Sequence, residues 1–146
     1  MAKANTKMDK LIKGLNEDLA GEYNAIISYL QYSAKVSGPY RPQLVEFLQA
    51  EIPDEQRHAQ YLADKIASLG GEPTVEPKPV QVSDDTRQML EFIYQAEKET
   101  VENYQKRIEQ AEAVGETGLK VQLEDMLSDE TTHRDEVKKI LDGWGN

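Results

Sequence analysis

The sequence predicts an all-α fold, an antiparallel four-helix bundle with one long crossover between its second and third helices. Two observations carry that expectation. Four stretches place apolar residues at helical spacing, and each is closed by glycine or proline. The second pair of stretches also repeats the first. Glu22, Tyr29, Asp54, Glu55 and His58 reappear 75 positions later as Glu97, Tyr104, Asp129, Glu130 and His133. A chain of 146 residues suffices for one domain with its own core, so residues 1–146 are expected to form a single bundle.

The first helix is expected over about 7–37, with Leu11, Leu15, Leu19, Ile26 and Leu30 on its apolar stripe and Glu22 in the gap between Leu19 and Ile26. Ser37-Gly38-Pro39-Tyr40-Arg41-Pro42 ends it, because glycine suits a helix end and proline can open the next helix. The second helix, about 42–69, reads Leu44, Leu48, Ile52, Glu55, His58, Leu62, Ile66, Leu69. Pro53 removes one hydrogen bond inside it, and a kink is expected just before Glu55. Gly71 to Ser83 is proline-rich and without helical period. Extended, it spans roughly 40 Å, close to the roughly 42 Å of the second helix. The third helix can therefore lie parallel to the second. It is expected over about 84–114, with Ser83 as N-cap, Asp84 and Asp85 in the first turn, and Leu90, Ile93, Glu97, Val101, Tyr104, Ile108, Ala111 as its stripe. The fourth, about 117–141, reads Leu119, Leu123, Met126, Glu130, His133, Val137, Ile140.

Composition narrows the chemistry. With no cysteine, disulfides, thiolate metal sites and iron–sulfur clusters are excluded. A net charge of −10 counts against nucleic acid as a partner, since such binders need a basic face. The stretch MAKANTKMDKLIKG has no apolar run behind its lysines, and nowhere do 18 apolar residues follow one another. A cytoplasmic protein with no membrane contact is expected.

Residues three apart share a helix face, so Glu55 with His58 and Glu130 with His133 make two carboxylate–imidazole pairs, each able to chelate a metal ion. These pairs use both histidines of the chain, and each is preceded by 33 positions by a glutamate on an apolar stripe, Glu22 or Glu97. A lone Glu-x-x-His is common on exposed helices. Two of them on buried stripes at matched distances are not. Four carboxylates and two imidazoles in a dry core need compensation, and two divalent cations supply it. Such a set, a glutamate from each of two helices and Glu-x-x-His from the other two, builds dinuclear sites in four-helix carboxylate proteins. Oxygen-rich ligands with one imidazole per metal suit iron, with manganese as the alternative. Tyr29 and Tyr104 are expected to pack in the core with a hydroxyl partner, or more sharply to hydrogen-bond a ligand or relay a radical. Glu51, whose counterpart is Met126, is expected to face solvent, with an auxiliary role in metal entry as the alternative.

LNEDLAGEYNAIISYLQYS, AEIPDEQRHAQYLADKIASLGGEP, QAEKETVENY and LEDMLSDETTHRDEVKKIL together resemble the ferritin-like superfamily, and within it a short bacterioferritin-type diiron protein. The resemblance covers nearly the whole chain. It implies that Glu22 and His58 are terminal ligands of one iron and Glu97 and His133 of the other, with Glu55 and Glu130 bridging. It implies a ferroxidase that oxidises Fe(II) with O2 or H2O2 and contributes to iron storage. Haem-binding relatives carry methionine directly after the second-helix bridging glutamate, where this chain has Gln56, so no haem is expected. Little sequence follows Trp144, so the short fifth helix of cage-forming relatives is not expected. A homo-oligomer of at least two chains is expected, with a cage left open.

Two other functions compete. One is a peroxide-removing diiron or dimanganese enzyme, such as a rubrerythrin-like peroxidase or a manganese catalase. Rubrerythrins carry a further third-helix glutamate where this chain has Thr100, and often a cysteine-rich domain. The other is a metal-free helical interaction module with protonated or hydrated carboxylates.

Overall fold

The computed structural model describes residues 6–145, so residues 1–5 of the expected domain and part of the N-terminal stretch read for a targeting signal lie outside it. Four helices run in chain order, α1 Lys7–Lys35, α2 Arg41–Ser68, α3 Thr86–Ala113 and α4 Thr117–Asp142, with no strand among the described residues. None of them is long and apolar enough to cross a membrane.

α1 opens on a reciprocal cap in which Asp9 N–H donates to Thr6 Oγ1 at 2.9 Å and Thr6 N–H to Asp9 Oδ2 at 3.3 Å. Gly38, Gly70 and Gly115, at φ of 94°, 88° and 78°, turn the chain after α1, α2 and α3 in a left-handed conformation that favours glycine. α2 continues as one helix through Pro53. α3 starts later than expected. Ser83 Oγ accepts the Asp85 N–H at 2.9 Å and donates to Gln88 at 2.6 Å, a local turn that holds Asp84 and Asp85 outside the helix. Thr86 then ties the helix start to the end of α1, exchanging hydrogen bonds with the Ser37 backbone.

The crossover is an ordered strap laid along α1 in the same direction. Asn16 holds the Glu72 carbonyl and the Thr74 N–H, Ala20 accepts from Lys78 N–H, Asn24 holds the Lys78 and Pro79 carbonyls, and Tyr32 O–H donates to the Gln81 carbonyl. It therefore runs antiparallel to α2 and delivers α3 parallel to it.

Two apolar layers fill the ends of the bundle. One gathers Leu11, Leu15, Leu19, Leu62, Ile66, Leu119 and Leu123, the other Tyr32, Leu44, Leu48, Met89, Leu90 and Val137. Each wholly buried leucine contributes about 1.5–3 kcal/mol. Leu30 departs from expectation at 62% exposed, while Tyr29 and Tyr32 are buried. Residues spaced by four advance about 40° around a helix at each step. The leucine run accordingly drifts off the buried arc, and the tyrosines on the arc's other edge turn inward.

Asp18 and Arg107 form a buried pair that the sequence did not announce. Arg107 Nε donates to Asp18 Oδ2 at 2.7 Å and Nη2 to Oδ1 at 3.1 Å. Gly14 makes room for it, since a Cβ there would lie 2.0 Å from Arg107 Nη1. Burial pushes the Asp18 carboxyl up to about 6, against the opposing pull of Arg107. Removing the cation alone strands a buried carboxylate. Arg107→Met is expected to lose about 3 kcal/mol in urea unfolding. Adding Asp18→Leu should recover most of that loss, and a double variant no more stable than the single one would contradict the account.

Candidate metal centre

Between the two apolar layers lies one polar layer. α1 contributes Glu22, α2 Glu55 and His58, α3 Glu97, and α4 Glu130 and His133, none more than 6% exposed. The six residues expected from the sequence thus meet in a single cluster. It divides into two groups whose ligand-type atoms lie within 4.8 Å of one another, Glu22 with His58 and Glu97 with His133, and both groups include Glu55 and Glu130. His58 Nδ1 stands 3.0 Å from Glu130 Oε1 and 3.7 Å from Glu22 Oε1. His133 Nδ1 stands 3.2 Å from Glu55 Oε1 and 3.9 Å from Glu130 Oε1.

The histidines are oriented from behind. His58 Nε2 pairs with Asp129 Oδ2 at 2.9 Å, and His133 Nε2 with Asp54 Oδ2 at 3.3 Å. Each aspartate directly precedes a glutamate of the cluster and holds the imidazole of the opposite repeat. An imidazole whose Nε2–H is donated outward keeps its Nδ1 lone pair for the cluster. The pairing was missed in the sequence, although the repetition of Asp54 as Asp129 was its signal. Glu51 corrects an expectation. Its side chain is only 14% exposed, with Oε2 in contact with His133 Nε2, because the partner helix α4 brings the imidazole over it. Tyr29 O–H donates to Glu97 Oε1 and Tyr104 O–H to Glu22 Oε1, so each buried tyrosine clamps the glutamate of the other repeat.

Many polar atoms facing this layer have no hydrogen-bond partner among the described residues. They include Glu22 Oε2, both Glu55 oxygens, Glu97 Oε2, Glu130 Oε1 and Nδ1 of both histidines. An unpaired buried polar group costs about 1–3 kcal/mol, so this concentration marks a cluster shaped for a cationic occupant. The donors are oxygen and imidazole nitrogen only, a set that fits iron, manganese or zinc. Charge tells the same story. Burial and then the Glu22 charge push Glu55 well above the usual carboxylate range, and burial with Glu97 and Glu22 does the same to Glu130. Glu22 remains below its ordinary value, burial being outweighed by the neighbouring Glu55 carboxyl and His58 imidazole. Burial would lower His133, but Glu51 and Glu55 carry it up to about 11. Without a cation, protons must balance the carboxylates.

An all-helical bundle built from two repeats, with its carboxylates and imidazoles gathered in one buried layer, is the class that fold and site define. The chain belongs to the ferritin-like family, whose sequence model matches residues 12–144. Bacterioferritin of Streptomyces coelicolor is 29% identical over 134 residues, covering 91% of this chain and 80% of that protein. Bacterioferritin of Desulfovibrio desulfuricans is 27% identical over 128 residues, covering 85% and 70%. A solved ferritin-like, diiron-carboxylate protein from Bacillus anthracis is 51% identical and superposes with a TM-score of 0.91, covering 97% of this chain and 99% of that one.

Two predictions follow from the charge balance and from the aspartates. A carboxyl whose folded pKa is raised binds more protons folded than unfolded, so its contribution to stability falls as pH climbs above 4.5, the ordinary value for Glu55 and Glu130. His133, raised from 6.5 to about 11, acts in the same direction above 6.5. The melting temperature of the metal-free chain should therefore decline from pH 5 to pH 8, and loading with Zn(II) should flatten the decline and release protons into a weakly buffered solution. Asp54→Asn and Asp129→Asn should each weaken Co(II) binding by roughly 10–100-fold in a competition titration, with helix content unchanged.

Proposed function

We propose that the chain is a dinuclear-iron ferroxidase that binds two iron ions and oxidises Fe(II), contributing to iron storage and detoxification. The observation that carries this reading is the double use of Glu55 and Glu130, which belong to both ligand groups at once. Glu22 and His58 would hold one ion and Glu97 and His133 the other, with Glu55 and Glu130 available to both. The diiron character of the Bacillus anthracis structure supports iron over manganese.

The chemistry asked of the site is a two-electron transfer. Two Fe(II) give one electron each to O2, which takes up two protons and leaves as H2O2, or to H2O2, which takes up two protons and leaves as two waters. Carboxylates favour the higher charge of Fe(III), and closely held ions let both electrons reach one oxidant. Gln56, exposed and bearing an amide where haem-binding relatives carry a thioether, gives no reason to add haem. Ile27 and Leu30, exposed on α1 at 39% and 62%, support association into a homo-oligomer, a dimer at least.

Stopped-flow absorbance in the near ultraviolet tests the reading. Mixing two Fe(II) per anaerobic chain with oxygen should give a fast ferric signal that Glu55→Ala abolishes. A fast phase with peroxide alone, or only after manganese loading, would move the assignment to a peroxide-removing enzyme. Failure to retain Fe(II) or Co(II) would leave a metal-free helical module.

A further inference from the structure

The duplication is not symmetric along the seam between α1 and α3. At one end Tyr104 clamps Glu22, and the space beyond is filled by the buried Asp18–Arg107 pair seated against Gly14. At the other end Tyr29 clamps Glu97, but the positions corresponding to Asp18 and Arg107 are Ile93 and Tyr32. Neither plugs the seam, because Tyr32 turns away to the Gln81 carbonyl of the strap. A cavity of about 190 Å³ remains there, walled by Ala25, Ala96, Ile93 and the strap, with Tyr29 and Glu97 among its lining residues. Glu97 is buried and its Oε2 lacks a hydrogen-bond partner.

We propose that this cavity is the entry and docking site for the small uncharged oxidant, dioxygen or hydrogen peroxide, at the Glu97 end of the metal centre. The proposal rests on the ferroxidase reading above and specifies how its second substrate arrives. Charge favours this occupant over a hydrated cation. Of the two carboxylates in the lining, Glu99 is paired with Lys78 at 3.3 Å and Glu97 is clamped by Tyr29, while Ser28, Gln95 and Thr100 add neutral polar groups. The partly exposed carboxylates Glu51, Asp54 and Asp129, which suit a cation, lie instead on α2 and α4. Volume agrees, since a diatomic molecule or peroxide fits within 190 Å³.

Ala25 lies in the wall and is not one of the metal-ligating residues, so Ala25→Phe fills the cavity and Ala25→Leu fills it more gently. In both, Co(II) stoichiometry and affinity should stay at the wild-type level. The bimolecular rate constant for oxidation of the Fe(II)-loaded chain should fall roughly tenfold or more, with O2 and H2O2 assayed separately to show which uses the route. An independent readout needs no iron. In the metal-free, nitrogen-15-labelled chain, dissolved O2 should enhance amide relaxation at Ala25, Ala96 and Thr100 above that at Asp18 and Arg107, and Ala25→Phe should remove the difference. Oxidation rates within a factor of about two of wild type in a metal-binding plugged variant would overturn the proposal. So would equal O2 enhancement at both ends of the seam. If the chain oxidises no Fe(II) at all, the ferroxidase reading falls, and the relaxation experiment still decides whether O2 enters the cavity.

Discussion

Four carboxylates held side by side out of water are the constraint on which the rest of this bundle depends. Their mutual repulsion and lost hydration oppose folding, and apolar packing at either end of the helices must outweigh that cost. The two apolar layers do so from both sides of the polar one. Tyrosine hydroxyls and outward aspartates use part of the hydrogen-bonding capacity of the cluster and leave the inward lone pairs open. The site is thus pre-shaped by groups that do not themselves complete it, which is the arrangement a metal ion needs if binding is not to require refolding.

The architecture was legible because the sequence states it twice. Helical stripes interrupted by Glu22, Glu55, His58, Glu97, Glu130 and His133 locate both the bundle axis and the level of the polar layer, and helix ends fall within two residues of expectation. What was not legible depends on which helix faces which. Asp54 serves His133 and Asp129 serves His58 only because α2 and α4 approach one another across the cluster, and no periodicity along one helix reports that. Glu51 looked solvent-facing for the same reason. Leu30 misled through a local regularity, a run at spacing four that rotates off the buried arc, and Ser83 misled because its hydroxyl closed a turn one step before the helix. Asp18 and Arg107 carry no repeated signal, since their counterparts are Ile93 and Tyr32.

The two long faces of the bundle differ in character. α2 and α4 bring partly exposed carboxylates up to the outer nitrogens of both imidazoles. α1 and α3 instead meet through the buried Asp18–Arg107 pair at one end and, at the other, leave a space under the strap lined by Ala25, Ala96, Ser28 and Thr100, with Glu99 paired to Lys78. The strap is anchored to α1 by side chains from Asn16 to Tyr32, so its backbone polar groups are satisfied although it has no secondary structure of its own. A long connection that would otherwise be loose becomes part of the wall near the metal centre.

The strap also makes the two repeats one covalent molecule. If the same centre were assembled from two identical helical hairpins, every substitution would appear on both sides of the axis, and a change that helped one half would be imposed on the other. Joining them in series frees each half to accumulate its own residues. Glu51 stands opposite Met126, and the Asp18–Arg107 pair opposite Ile93 and Tyr32. A twofold object has thereby acquired a front and a back.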